Sequence, residues 1–147
     1  MKTFISIITA AALAVCAAAL PPAALQETPC TSGTPTTTAG YPISYSHATP
    51  TQFSQQAYQP EAAWAGSHLL GTMTYAVPEP FETGFAYAQY KCQFKCNSFG
   101  GLSFFVKYPG DDDNSNAMCT CYSDLMDPDT FVADNEVMVG AWNALCK

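Results

Sequence analysis

Cys92 and Cys96 stand four positions apart in "YKCQFKCNSFGG", and Cys119 and Cys121 stand two apart in "CTC". Four thiols in such pairs could hold zinc, cycle as a redox couple, or act as staples. Structural zinc sites favour C-x2-4-C knuckles at both ends, and the second pair here is C-x-C. A thiol–disulfide oxidoreductase uses C-x-x-C, which the chain lacks. The staple reading has a geometric basis. Two helical residues four apart lie about 6 Å from one another on one face. Two strand residues two apart lie about 6.6 Å from one another on one face. A helix packed along a strand would therefore form two side-by-side bridges. Which cysteine meets which depends on the relative direction of helix and strand, and at this level both pairings stay open. Cys30 and Cys146 remain as a pair closing most of the chain.

Other residues with chemical potential carry less. His47 and His68 are the only histidines, and no G-x-S-x-G or H-E-x-x-H frames them. Asp111, Asp112, Asp113 and Asn114 form an acidic loop tip. As an EF-hand loop it would need glycine and glutamate where Asn116 and Tyr122 stand, so it reads as a polar hairpin tip able to meet a basic partner or a cation. Aromatic rings can stack on a sugar or anchor a protein partner. Trp64, after the polar "QPEAA", reads as the exposed ring; Trp142, in an apolar strand, reads as core.

The elements that must position these groups follow from periodicity. Phe85, Ala88, Cys92 and Cys96 make a helical stripe within 81–97, which Gly100 and Gly101 end. "HLLGTMTYAV" at 68–77 reads as a strand. "LSFFVKY" at 102–108 reads as another, with Leu102, Phe104, Val106 and Tyr108 on one face. "AMCTCYS" at 117–123 is its return strand, and "EVMVGAWNALC" closes the domain as a last strand. Residues 41–66 read as turns with one or two short strands. The expected fold is α+β, one helix packed on a small antiparallel sheet and stapled by three disulfides.

Further outward, residues 1–19 read as a secretory signal peptide, with Lys2, an apolar run and a small-residue cleavage motif at Ala17–Ala19. The run is shorter than a membrane span, and Pro21 and Pro22 follow it. Loss of the leader removes Cys16 and leaves six cysteines, an even count that suits an oxidising compartment. Residues 20–40 read as a Pro/Thr-rich spacer, extended and open to O-glycosylation, and 41–147 as the folded domain. The chain has five lysines, no arginine and a net charge of −7, which argues against nucleic acid and anionic membranes as partners.

The C-x3-C helix, the strand "SFFVKY" and "CTCYSDL", set inside a pair of terminal cysteines, together resemble the PAN/apple module. The family places a helix on a small antiparallel sheet. Its nested bridges would imply Cys30–Cys146, Cys92–Cys121 and Cys96–Cys119. A cysteine that the family carries near the position of Leu102 is absent here, and the next strand has two. The resemblance implies a secreted, non-catalytic module that binds extracellular protein or polysaccharide and needs no cofactor. The alternatives are an effector or antigen-like interaction protein and, more remotely, a small extracellular hydrolase. The expected binding residues are Asp111, Asp112, Asp113, Asn114 and Trp64.

Overall fold

A computed structural model describes residues 28–52, 57–77, 81–108, 116–134 and 138–147. Chain order is β1 (Thr36–Thr38), β2 (Tyr41–Ile43), β3 (Tyr45–His47), β4 (Tyr58–Pro60), α1 (Ala62–His68), β5 (Leu69–Ala76), α2 (Phe81–Ser98), β6 (Ser103–Tyr108), β7 (Asn116–Tyr122), β8 (Phe131–Ala133) and β9 (Met138–Ala144). The fold is α+β. Five strands form one antiparallel sheet in the order β3-β9-β6-β7-β5, with β6 at its centre. Two small antiparallel pairs, β1–β2 and β4–β8, flank it. No helix among the described residues is long and apolar enough to cross a membrane. The leader assigned to residues 1–19 lies outside the described residues.

The sheet is covered on both faces, which is why β6 carries apolar residues at successive positions. Phe104 and Val106 face α2 and pack with Ala88, Cys92, Cys119, Cys121 and Trp142. Phe105 faces the other way, into a second cluster with Tyr58, Tyr122, Met126 and Phe131. Of the expected stripe Leu102, Phe104, Val106 and Tyr108, the last three are buried as read, while Leu102 is half-buried just before the strand; the second face is an addition. Burial of one such side chain contributes about 1.5–3 kcal/mol.

Helix α2 ends on a Schellman motif. Gly100 takes a left-handed φ of 69°, its N–H donates to the Asn97 carbonyl at 3.1 Å, and the Gly101 N–H donates to the Cys96 carbonyl at 2.8 Å. This reverses the chain into β6. The β6–β7 pair reverses it again, so α2 and β7 run in the same direction. The first cysteine of the helix therefore meets the first of the strand. The bridges are Cys92–Cys119 and Cys96–Cys121, with Cα separations of 5.5 and 5.3 Å. This corrects the nested pairing, Cys92–Cys121 and Cys96–Cys119, which would require helix and strand to run opposite ways. Cys30–Cys146 forms as expected, spanning 116 positions.

The region 41–66 holds more structure than expected. It contains β2, β3, β4 and the start of α1. The seven-residue α1 buries none of its residues, so no apolar stripe announces it. The Glu61 carboxylate caps it by accepting from the N–H groups of Ala63 and Trp64 at 3.2 and 2.9 Å, and these bonds lower its pKa. Part of the spacer is also ordered. β1 pairs with β2 through a turn in which Ala39 and Gly40 both have positive φ, 49° and 85°, as a tight hairpin requires.

Candidate functional site

The expected site residues fall in different places. Asp111, Asp112, Asp113 and Asn114 lie outside the described residues. Trp64 is half-buried rather than exposed. Its ring packs on His68 at 4.8 Å and Tyr122 at 4.9 Å, so it closes the second core and is no free platform. Trp142 is in the core, as its apolar strand suggested.

One cluster has the residue types of a hydrolytic triad. Ser67 Oγ lies 3.0 Å from His68 Nδ1, and His68 Nε2 lies 3.6 Å from Asp124 Oδ2. The hydrogen bonds argue against that use. His68 Nδ1 is 2.8 Å from the Trp64 carbonyl, which can only accept, so Nδ1 carries the proton. Ser67 Oγ donates to the same carbonyl at 2.9 Å. A ring nitrogen that is already protonated cannot take the serine proton. The cluster ties the end of α1 to Asp124.

The cysteine sulfurs form a second cluster. Cys92, Cys96 and Cys119 place their Sγ atoms within 4.8 Å of one another. Each is committed to a disulfide, and a zinc ligand must be a thiolate. Metal binding there would first require reduction of both bridges.

The third site is a cavity of about 360 Å³ between the N-terminal arm, the outer strand β3 and α2. The arm is held to the end of β9. Thr31 N–H donates to the Ala144 carbonyl at 2.8 Å, Cys146 N–H donates to the Thr31 carbonyl at 3.1 Å, and Cys30–Cys146 lies beside them. The β1–β2 hairpin is fastened to α2. Tyr41 stacks on Tyr90 at 5.4 Å, and Gln93 bonds β2 and its neighbour: its Oε1 accepts from Ser44 N–H at 2.9 Å and its Nε2 donates to the Pro42 carbonyl at 2.6 Å. These contacts set Thr34, Thr36 and Thr38 along one wall of the cavity. β3 supplies Tyr45, Ser46 and His47, and the floor is Trp142 and Leu145.

Trp142 is fixed from several sides. It stacks on Phe104 at 5.0 Å, contacts His47 at 5.3 Å, and lies over Gly140, where an added Cβ would come 2.0 Å from its ring. Any side chain at 140 would displace the indole. His47 is exposed at the rim and packed on its inner side; that packing lowers its pKa, and the ring is neutral at pH 7. The hydroxyl of Thr49 bonds its Nδ1 at 2.9 Å.

Gln89 completes the lining. It sits one helical turn before Gln93, is 5% exposed, and makes no side-chain hydrogen bond among the described residues. Other buried amides are paired at both ends. Asn143 accepts from Met126 N–H and donates to the Met126 carbonyl, each at 2.8 Å. Gln89 thus presents a donor and an acceptor to the cavity. Sequence reasoning missed it. The available signal was two glutamines, 89 and 93, beside Ala88 and Cys92 on the buried stripe, where polar residues are uncommon. A larger cavity of about 510 Å³ near Gly100, Gly101 and Lys147 shows no such unpaired amide among the described residues.

No family model, no curated protein and no solved structure matches this chain.

Proposed function

We propose that this chain is an extracellular, non-catalytic recognition module of the PAN/apple kind that binds protein or polysaccharide. The observation that carries this reading is the built cavity beside α2, whose walls are pinned by a disulfide, a bridged hairpin and the Gln93 amide. A site on rigid elements loses little entropy when it binds. Its lining offers hydroxyls, an amide and an aromatic floor, groups that recognise a ligand. The three disulfides suit an oxidising compartment, and the helix on an antiparallel sheet suits the PAN/apple likeness.

The test uses the secreted protein. It is offered insoluble neutral polysaccharides, a glycan array and immobilised extracellular matrix proteins, and the supernatants are analysed for released sugars and peptides. Retention without release is expected. Release of products in proportion to protein would make it a hydrolase, and retention on none of the three would overturn the recognition reading.

A further inference from the structure

We infer that the cavity between the N-terminal arm and α2 is a subsite for one neutral, hydroxyl-rich ring, a single sugar residue, with the Gln89 amide as its buried hydrogen-bonding partner. This rests on the recognition reading above and names its ligand class.

Three observations converge. First, Gln89 is 5% exposed and its amide makes no hydrogen bond to a described residue, while the one enclosed unpaired side-chain atom among those residues is Tyr58 Oη, so the Gln89 amide keeps its solvent contact through the cavity it lines. An amide wetted through a cavity takes its partners from what fills that cavity, water or a ligand that replaces it. An amide both donates and accepts, and so does each sugar hydroxyl, so adjacent hydroxyls can serve both ends of Gln89. Second, among the described residues the lining holds no carboxylate, ammonium or guanidinium. A charged ligand would lose its hydration there without gaining a counter-charge, so a uronic or sialic acid is disfavoured. Third, a cavity of about 360 Å³ is at the small end of ligand pockets, which suits one ring with the rest of a polymer outside. Thr36 and Thr38 share one face of β1 and add hydroxyls along the wall, while Trp142 gives an apolar floor.

The probes are the methyl glycosides of glucose, galactose, mannose and N-acetylglucosamine, with methyl glucuronide as the charged comparator. Binding to the secreted protein is followed by calorimetry and by the indole N–H signals of its two tryptophans. At least one neutral glycoside should bind, shift the Trp142 signal and leave Trp64 unmoved; the glucuronide should bind at least tenfold more weakly. Gln89→Leu should weaken the neutral ligand at least tenfold. Thr36→Val, at an exposed position, should weaken it severalfold and keeps the test valid if the Gln89 variant fails to fold. Phe94→Gln, on the exposed side of α2, should change nothing.

Binding unaltered by Gln89→Leu, with a raised melting temperature, would show that the amide meets only water and would overturn the inference. No glycoside binding, in a protein still retained on polymer or matrix protein, would overturn the inference and leave the recognition reading standing. Loss of all retention would remove both.

Discussion

Tyr58 Oη and the Gln89 amide both lack a hydrogen bond among the described residues, on opposite faces of the sheet, and of the two only Tyr58 Oη is fully enclosed. They differ in what surrounds them. Gln89 faces a cavity, whereas Tyr58 is enclosed by Phe105 and Phe131 at ring separations of 6.1 and 5.0 Å. Desolvation pushes the Tyr58 hydroxyl up to about 12; the Ala141 N–H, directed at the oxygen without forming an aligned bond, offsets part of that rise. An unmade buried hydrogen bond is costly, so Tyr58→Phe should stabilise the protein by about 1 kcal/mol, raising the melting temperature by several degrees. A thermal scan checks it; a fall would mean that this hydroxyl does accept from the Ala141 N–H. Tyr58 itself was not legible in the sequence as a core residue. It lies in a three-residue strand, and its partner strand β8 is another three-residue strand, in the stretch between "SDLMDPD" and the last strand to which the sequence pattern assigns no element.

Helix α2 shows how far local pattern carries and where it stops. Its extent, its glycine termination and its cysteine stripe were all readable, because the 3.6-residue period and the left-handed cap are local physics. The disulfide pairing was readable in principle as well. A helix that turns tightly into one strand of a hairpin must run with the hairpin's second strand, and that direction selects Cys92–Cys119 and Cys96–Cys121. The nested arrangement came from a likeness, and two successive reversals of the chain exclude it. Polarity misled in two places: Phe94 is 71% exposed, while Gln89 and Gln93 are 5% and 7% exposed. Their roles depend on β2 and the arm, which approach from remote sequence. The pairing has a direct consequence. Cys92→Ala with Cys119→Ala should fold and keep Cys96–Cys121, at a loss of about 2–5 kcal/mol. Cys92→Ala with Cys121→Ala should secrete less well, because its remaining sulfurs, Cys96 and Cys119, stand 3.8 Å apart but belong to different bridges. Yields and non-reducing peptide maps distinguish the two variants.

At the scale of the whole molecule, the disulfides divide by exposure. Cys92, Cys96, Cys119 and Cys121 are buried to within 1%, whereas Cys30 and Cys146 are exposed. The inner pair secures α2 to the sheet, and the outer bridge secures the arm that walls the cavity. Replacing Cys30 and Cys146 together by Ser should therefore leave the sheet folded, with an unchanged near-ultraviolet spectrum from the Trp142 environment. Retention on the ligand or polymer that the parent protein binds should drop at least severalfold as the arm loosens. An equal loss of spectrum and binding would mean that the bridge supports the entire fold. Of this arrangement the sequence made legible the staple function and the acidic, arginine-free charge balance. The cavity was not legible, because it joins residues 33–47 to 89 and 142–145 and exists only once the sheet order is set.

The outer bridge also brings the two ends of the domain together, with the Cα atoms of Cys30 and Cys146 only 4.9 Å apart and a parallel bridge between Thr31 and Leu145 beside them. A folded unit whose chain enters and leaves at one point can interrupt a loop of another protein with little distortion of its host. Spliced there, the domain would stand out from its carrier as a side branch. Its cavity lies close to the junction, so a fluorescent carrier interrupted in this way would be a direct reporter of whatever the arm closes around.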